Sequence, residues 1–300
     1  MKMPELSVII PNRNSPYTTQ TIEDVLKNAG CEVEVIVNVD ENWPDTLVED
    51  SRVIYIHPPK PVGLRQAINT GVKLARGKYI LKCDDHVAFG ENFGRILIDS
   101  HQDNWVQIPR RYALDVDNWK IGNEGDPKYP IDYMYVDFPR KGKAHDDGMH
   151  GVPWKRHERN EIEIDDTPSM QGSCYFMTKK WFVDFLGYLQ EKPVLGEVGY
   201  GQFSQEAQEI GFKTWLGGGE VKVNKKTWYA HLHKGKRHGR MYKMPGGTVE
   251  SSNWSASYWL NNRWEGRKHD FEWFINEKFP GMPSWPEDWE SQIKEMGWTN

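Results

Sequence analysis

Asp84-Asp85-His86 is the stretch of this chain best equipped for chemistry, because it follows the apolar run Ile80-Leu81-Lys82-Cys83 and so stands just past the end of a predicted strand. Magnesium and manganese favour hard oxygen ligands, and manganese also accepts imidazole. An ion that bridges two phosphates needs only a few protein ligands. Asp84 and His86 are therefore candidate ligands for Mn2+ or Mg2+, although an Asp pair at a strand end can also be an ordinary acidic turn. Pro11-Asn12-Arg13 and Asp40-Glu41 occupy equivalent positions after two earlier predicted strands. Open parallel sheets bind ligands beyond the carboxyl ends of their strands, which makes these clusters candidate ligand contacts. His231 and His233 lie two apart on a predicted strand, share a face, and could each supply a further nitrogen. The basic residues between Lys222 and Lys243, with no acid among them, are either a solvated loop or a clamp over diphosphate or an anionic acceptor. Lys234 and Arg237 are the candidates there.

Stepwise along the chain, Leu6–Ile10, Val33–Val39, Arg52–Ile56 and Lys78–Lys82 read as strands, and Thr18–Asn28 and Gly63–Ala75 read as helices. Strands alternating with helices at these lengths predict an α/β fold around a mostly parallel sheet. Periodicity fades from Asp115 to Thr167, as expected of a long excursion over a sheet edge. Order returns with a strand over Ser173–Met177, helices over Lys179–Gln190 and Ser204–Ile210, and a strand near Glu220–Tyr229. Seven of the 14 tryptophans fall at Trp254, Trp259, Trp264, Trp273, Trp285, Trp289 and Trp298. They read first as a packing clasp for the tail and second as a stacking platform for sugars or bases. The expected organisation is a domain over residues 1–240, divided into 1–110, 111–168 and 169–240, with a Trp-rich extension over 241–300.

The chain has 300 residues, 38% hydrophobic and 27% charged, with a mean hydropathy of -0.75. It is polar, but too aromatic for a disordered chain. A formal charge of -5 argues against a globally basic nucleic-acid coat. Cys31, Cys83 and Cys174 fit neither a disulfide framework nor a zinc-finger spacing and suggest a reducing compartment. No apolar run approaches the roughly 20 residues of a membrane span, and MKMPELSVII leads straight into a strand, so the expectation is a soluble cytoplasmic protein, a virus-encoded one in a host cytoplasm included.

Ser7-Val8-Ile9-Ile10-Pro11, Asp40, and Gly63-Leu64-Arg65-Gln66-Ala67-Ile68-Asn69-Thr70-Gly71 followed by Gly77-Lys78-Tyr79-Ile80 resemble the nucleotide-binding half of family-2 glycosyltransferases. Asp84-Asp85-His86, Glu206, Glu209, Trp215, Gly218-Gly219 and His231 resemble, in order and interval, the metal-site half of the polypeptide N-acetylgalactosaminyltransferases. Together these likenesses span about residues 5 to 235. They imply a GT-A, Rossmann-like fold, a nucleotide-sugar donor and a divalent cation, Mn2+ or Mg2+, held by Asp84, His86 and His231. Donor contacts are then expected from Pro11, Asn12, Arg13, Asp40, Arg65, Asn69, Asp84 and Asp85, and catalytic roles from Glu206, Lys234 and Arg237. The chain departs from the pattern at Ser204-Gln205, where the family carries Gly-Gly, and where inverting family-2 enzymes place the first acid of a pair. Glu206 is the carboxylate left at that point.

The implied reaction is transfer of a sugar, with a uridine-diphosphate donor expected, to a hydroxyl of a protein, a glycan or a hydroxylated DNA base. Retention and inversion both stay open, since the front resembles inverting enzymes and the back retaining ones. A nucleotidyltransferase would carry a Gly-rich phosphate turn soon after the first strand, which Pro11-Asn12-Arg13-Asn14-Ser15-Pro16 lacks. A non-catalytic sugar- or nucleic-acid-binding protein would have little use for a metal triad.

Overall fold

A computed structural model describes residues 2–122, 125–126, 128–142, 147–191, 197–233, 239, 242 and 246–299. Its first half alternates β1 (Leu6–Asn12), α1 (Thr18–Asn28), β2 (Val33–Val39), β3 (Val53–Ile56), α2 (Leu64–Leu74) and β4 (Tyr79–Cys83). All seven residues of β2 are buried, as are six of the seven in β1, because helices cover the sheet on both sides. Gly71 lets α2 come down onto β1, since a Cβ there would lie 2.5 Å from Ile9 Cγ2. β1 pairs in parallel with β2 and β4, and β2 with β3.

Beyond β4 the expected, mostly parallel pattern gives way to a mixed one. β5 (Val87–Phe89), β6 (Trp105–Asp115), β7 (Lys120–Gly122), β10 (Ile164–Asp166), β11 (Cys174–Thr178) and β12 (Glu220–His231) complete a ten-stranded sheet among the described residues. Its main path runs β10-β12-β6-β11-β4-β1-β2-β3. β11 is antiparallel to β4 and β6, whereas β12 runs parallel to β6. A register shift between Asn224 and Trp228 bends β12, and its last residues pair with β5. That bend carries His231 to the turn that follows β4. The 115–167 excursion is more ordered than its composition suggests, with β8 (Tyr133–Val136) and β9 (Gly151–Trp154) forming a separate antiparallel pair.

The helix expected over Lys179–Gln190 is reduced to a π-helical turn at Trp181–Leu186, ended by Gly187 at φ 75°. After the short helix α3 (Phe93–Asp99), the next long helix, α4, starts at Glu206 and continues to Leu216. In the tail, the helix Thr248–Leu260 and the shorter segments Phe271–Lys278 and Trp289–Glu295 join the same hydrophobic cluster as the sheet. Phe212 of α4 meets Trp259, Phe271 and Phe274 with ring centroids 5.3, 5.4 and 5.7 Å away. The indole N–H groups of Trp254, Trp259, Trp285 and Trp289 all donate to protein oxygens. With their N–H groups satisfied, these four tryptophans pack the tail onto the main domain as a clasp would. No described helix is long and apolar enough to cross a membrane.

A buried polar lock joins α2 to α4. Arg65 is fully buried and pairs with Glu209; it also donates from Nε to Gln190 O at 2.7 Å and from a terminal nitrogen to Ser204 O at 2.8 Å, above the Tyr200 ring. Burial pushes the guanidinium down to about 10, so it stays charged at neutral pH. Removing one member strands the other charge in the core. Arg65→Ala is therefore expected to cost about 3–5 kcal/mol of stability in urea unfolding. A loss below about 1 kcal/mol would show that the pair is not a lock.

Candidate functional site

The site is assembled at the carboxyl ends of β1, β2, β4 and β12, around a cleft of about 440 Å³. Asp84 leaves β4 with its N–H bonded to Ser173 O at 2.9 Å. His231 Nε2 lies 3.1 Å and His86 Nε2 3.9 Å from Asp84 Oδ2, and one donor atom from each of the three residues falls within 4.8 Å of the others. His86 Nδ1 is 2.6 Å from Asp85 Oδ1, an arrangement that fixes the ring and leaves Nε2 for the cluster. Burial pushes the His231 imidazole down to about 4, against an opposing hydrogen bond to Asp84. At neutral pH it is uncharged, with a lone pair to offer. Burial raises Asp84, but Lys82 and the two histidines more than offset that and hold it well below the usual carboxylate range. One carboxylate oxygen and two imidazole nitrogens make a donor set able to hold a divalent cation.

Lys82 is the residue that sequence reasoning missed. It is 2% exposed, and its Nζ sits 2.7 Å from Asp84 Oδ1, 2.5 Å from Gly172 O and 3.2 Å from Glu206 Oε1. Burial pushes the ammonium down, yet Asp84 and Glu206 reverse this and hold it well above the ordinary lysine value. The available signal was a lone charge inside the otherwise apolar strand Ile80–Cys83. Glu206 opens α4 after Gln205, which stands at φ 57°. Its carboxylate is buried against Gly172, where a Cβ would come within 2.9 Å of Oε1. Neither oxygen makes a well-formed hydrogen bond to a described residue. Burial raises this carboxyl, with Lys82 pulling the other way.

Asp40, at the end of β2, accepts the N–H groups of Val62 at 2.5 Å and Gly63 at 3.0 Å, and still lines the cleft. Gly63 holds φ 82°, a left-handed conformation that spares the chain a Cβ 2.8 Å from Gln202. Asn12 donates to Thr18 Oγ1 and to Asp85 Oδ2 at 3.1 Å, while Arg13 pairs with Glu41 at 2.6 Å beneath the Tyr242 ring. Pro11, Asn12, Arg13, Asp40, Asp84 and Asp85 thus line one cleft together with His86, His231 and Glu206. Two expected donor contacts do not reach it. Arg65 is spent in the core lock, and Asn69, 1% exposed, exchanges hydrogen bonds with the Leu189 backbone and donates to Glu191. Glu209 is likewise held by Arg65 and by Lys213 at 2.7 Å. Trp215 is a core anchor whose ring meets Phe279. His233 lines the cleft but stands outside the metal cluster. Lys234 and Arg237 lie outside the described residues.

Residues 7–153 match the family model Glycosyl transferase family 2. Human polypeptide N-acetylgalactosaminyltransferase 10 is 22% identical over 279 residues, covering 86% of this chain and 42% of the relative. Glycosyltransferase GlyG of Streptococcus pneumoniae serotype 4 is 29% identical over 140 residues, covering 44% of this chain and 43% of its own length. Among solved structures, the crystal structure of GalNAc-T7 with UDP, GalNAc and Mn2+ aligns with a TM-score of 0.66 at 18% identity, over 86% of this chain and 49% of that one. The chain spans less than half the length of these proteins. It has the GT-A-type α/β fold, resembling family-2 glycosyltransferases in its N-terminal half and the N-acetylgalactosaminyltransferases along most of its length.

Proposed function

We propose that this chain is a divalent-cation-dependent glycosyltransferase that moves a sugar from a uridine-diphosphate donor to a hydroxyl group of an acceptor. The observation that carries the proposal is the convergence of Asp84, His86 and His231 in a cleft at the strand ends of a GT-A-type sheet. The solved neighbour contains UDP, GalNAc and Mn2+, which makes uridine and manganese the first choices to test. Bound by these three side chains, the cation would supply electrostatic stabilisation of the charge that develops on the departing diphosphate. Asp85 sets the orientation of His86, and Lys82 holds the Asp84 carboxylate in place from the core side. Glu206, buried and ion-paired with Lys82 through Oε1 only, is the group suited to orient or deprotonate a hydroxyl. Asp40 carries the nucleobase end of the site.

Two measurements follow. Incubation with a panel of UDP-sugars is expected to release UDP only when Mn2+ or Mg2+ is present; no release with any of them, together with no calorimetric binding of UDP in Mn2+, would refute the reading. Replacing Asp40 by Ala is expected to weaken UDP binding about ten- to a hundredfold, the worth of a charged hydrogen bond, without loss of fold. An unchanged titration curve removes Asp40 from the donor site.

A further inference from the structure

Arg111 lies in β6 opposite Tyr229 of β12, two residues before Ala113 meets His231. Paired residues of neighbouring strands project to the same face of a sheet. Tyr229 reaches Ser173 Oγ at 2.8 Å, and Ser173 lines the cleft, so Arg111 is turned to the cleft side. There it lines a small cavity of about 20 Å³ with Asp132, Thr167, Ser169 and Gln171. Met134, Met170 and Gln171 line both this cavity and the main cleft, which makes the smaller space an annex of the larger.

The residue is only 8% exposed, and while its backbone N–H bonds Ile131 O, its guanidinium has no hydrogen bond or ion pair to another described residue. Its neighbours are already engaged. Asp132 accepts Arg110 through both oxygens at 2.7 and 2.8 Å, Asp165 is taken by Arg159 and Tyr133, and Thr167 Oγ1 bonds the Met134 and Ser169 backbone. A guanidinium cannot shed its charge, and because none of the Arg111 nitrogens is sealed off without a partner, they stay open to the annex, where an acidic ligand would complete them. The annex holds roughly one water-sized group, the size of one oxygen of a carboxylate or phosphate. Its place in the sheet also matters. β11, β4 and β1 separate β6 from β2, which carries Asp40, so at about 4.8 Å per strand Arg111 stands about 19 Å from the nucleobase end.

We infer that Arg111 recognises a carboxylate or phosphate borne by a sugar in the cleft, either the transferred sugar or the acceptor. The inference rests on the glycosyltransferase reading and specifies its substrate class. An acidic group at that point would accept paired N–H donors from the guanidinium fork and give the site a preference for charged over neutral sugars.

The test compares charged and neutral probes on the Mn2+-loaded protein by calorimetry. One arm titrates UDP-glucuronate against UDP-glucose. A second adds glucuronate, glucose 6-phosphate or glucose to the protein saturated with UDP. Wild type is expected to favour the charged member in one arm by about ten- to a hundredfold. Arg111→Met should erase that preference and leave UDP affinity unchanged, and Arg111→Lys should retain part of it. No preference in either arm of the wild type overturns the inference and needs no variant, so misfolding of Arg111→Met does not protect it. A preference that survives in a folded Arg111→Met protein overturns it too. A fall in UDP affinity itself would assign Arg111 to the diphosphate instead. Failure of UDP to bind the wild type would defeat the underlying glycosyltransferase reading, a result distinct from all of these.

Discussion

Asp84→Asn and His231→Ala are each expected to abolish sugar transfer while leaving the protein folded. The three candidate ligands come from the turn after β4 and from the end of β12, and no other group of three metal-ligating side chains lies together among the described residues. Losing one of three protein ligands should lower Mn2+ affinity far more than losing an outer partner, whose removal typically costs 10- to 100-fold. Asp85→Ala supplies that milder comparison, because Asp85 holds His86 Nδ1 and is not one of the three candidate ligands. Mn2+ titration by calorimetry, beside UDP release from the same preparations, reads both effects. The expected order is wild type, then Asp85→Ala, then the two ligand variants with no measurable turnover. Full activity of wild type after exhaustive chelation would end the metal assignment. Lys82 complicates the Asp84 variant in a useful way: its buried ammonium would lose one of two carboxylate partners, so thermal unfolding of Asp84→Asn must be measured alongside.

Glu206→Gln should leave Mn2+ and UDP binding near wild type and reduce transfer by about 10²- to 10⁴-fold, the usual worth of a positioned acid or base. The substitution keeps size and removes only charge and basicity. Glu206 is suited to act on a reacting hydroxyl because its oxygens are buried, lack well-formed hydrogen bonds and face the cleft beside Gly172. A plain alternative is that the carboxylate serves the first turn of α4, where an acid is favoured by the helix dipole. In that case Gln would cost a little stability and no rate. The pH profile adds a second readout. Burial raises this carboxyl, so a reaction that needs it ionised should fall away on the acid side at a higher pH than an ordinary glutamate would give. Wild-type transfer by Glu206→Gln would remove the role, and lost Mn2+ binding would move the residue into the metal cluster.

The first half of the fold could be read from the chain because its information is local. β2 and α1 occupy the predicted ranges, and β1, β4 and α2 lie within a residue or two of theirs, since an apolar run closed by polar residues needs no distant partner to be recognised. Asp84 and His86 were visible for the same reason. The second half was harder. β11 and β12 were expected as strands, but nothing in their patterning says that one inserts antiparallel between β4 and β6 or that the other bends at Asn224.

Which polar residue faces the cleft was decided by tertiary structure alone. Arg65 and Asn69 were expected as donor contacts, yet they stand with Ile68 and Val72 on the buried face of α2. Their partners, Glu209, Gln190, Ser204, Leu189 and Glu191, lie more than a hundred residues further on, where no local rule can reach them. His231 was singled out from His233 by family likeness, and the bend of β12 is what brings its ring to within 4.8 Å of the His86 ring. The sequence by itself determined the elements and the residues able to do chemistry, because backbone periodicity and side-chain type are properties of short segments. Only the folded chain decided that Lys82 joins Asp84 to Glu206 and that Arg111 is left unpaired, because the cost of burying a charge depends on what every other strand brings beside it.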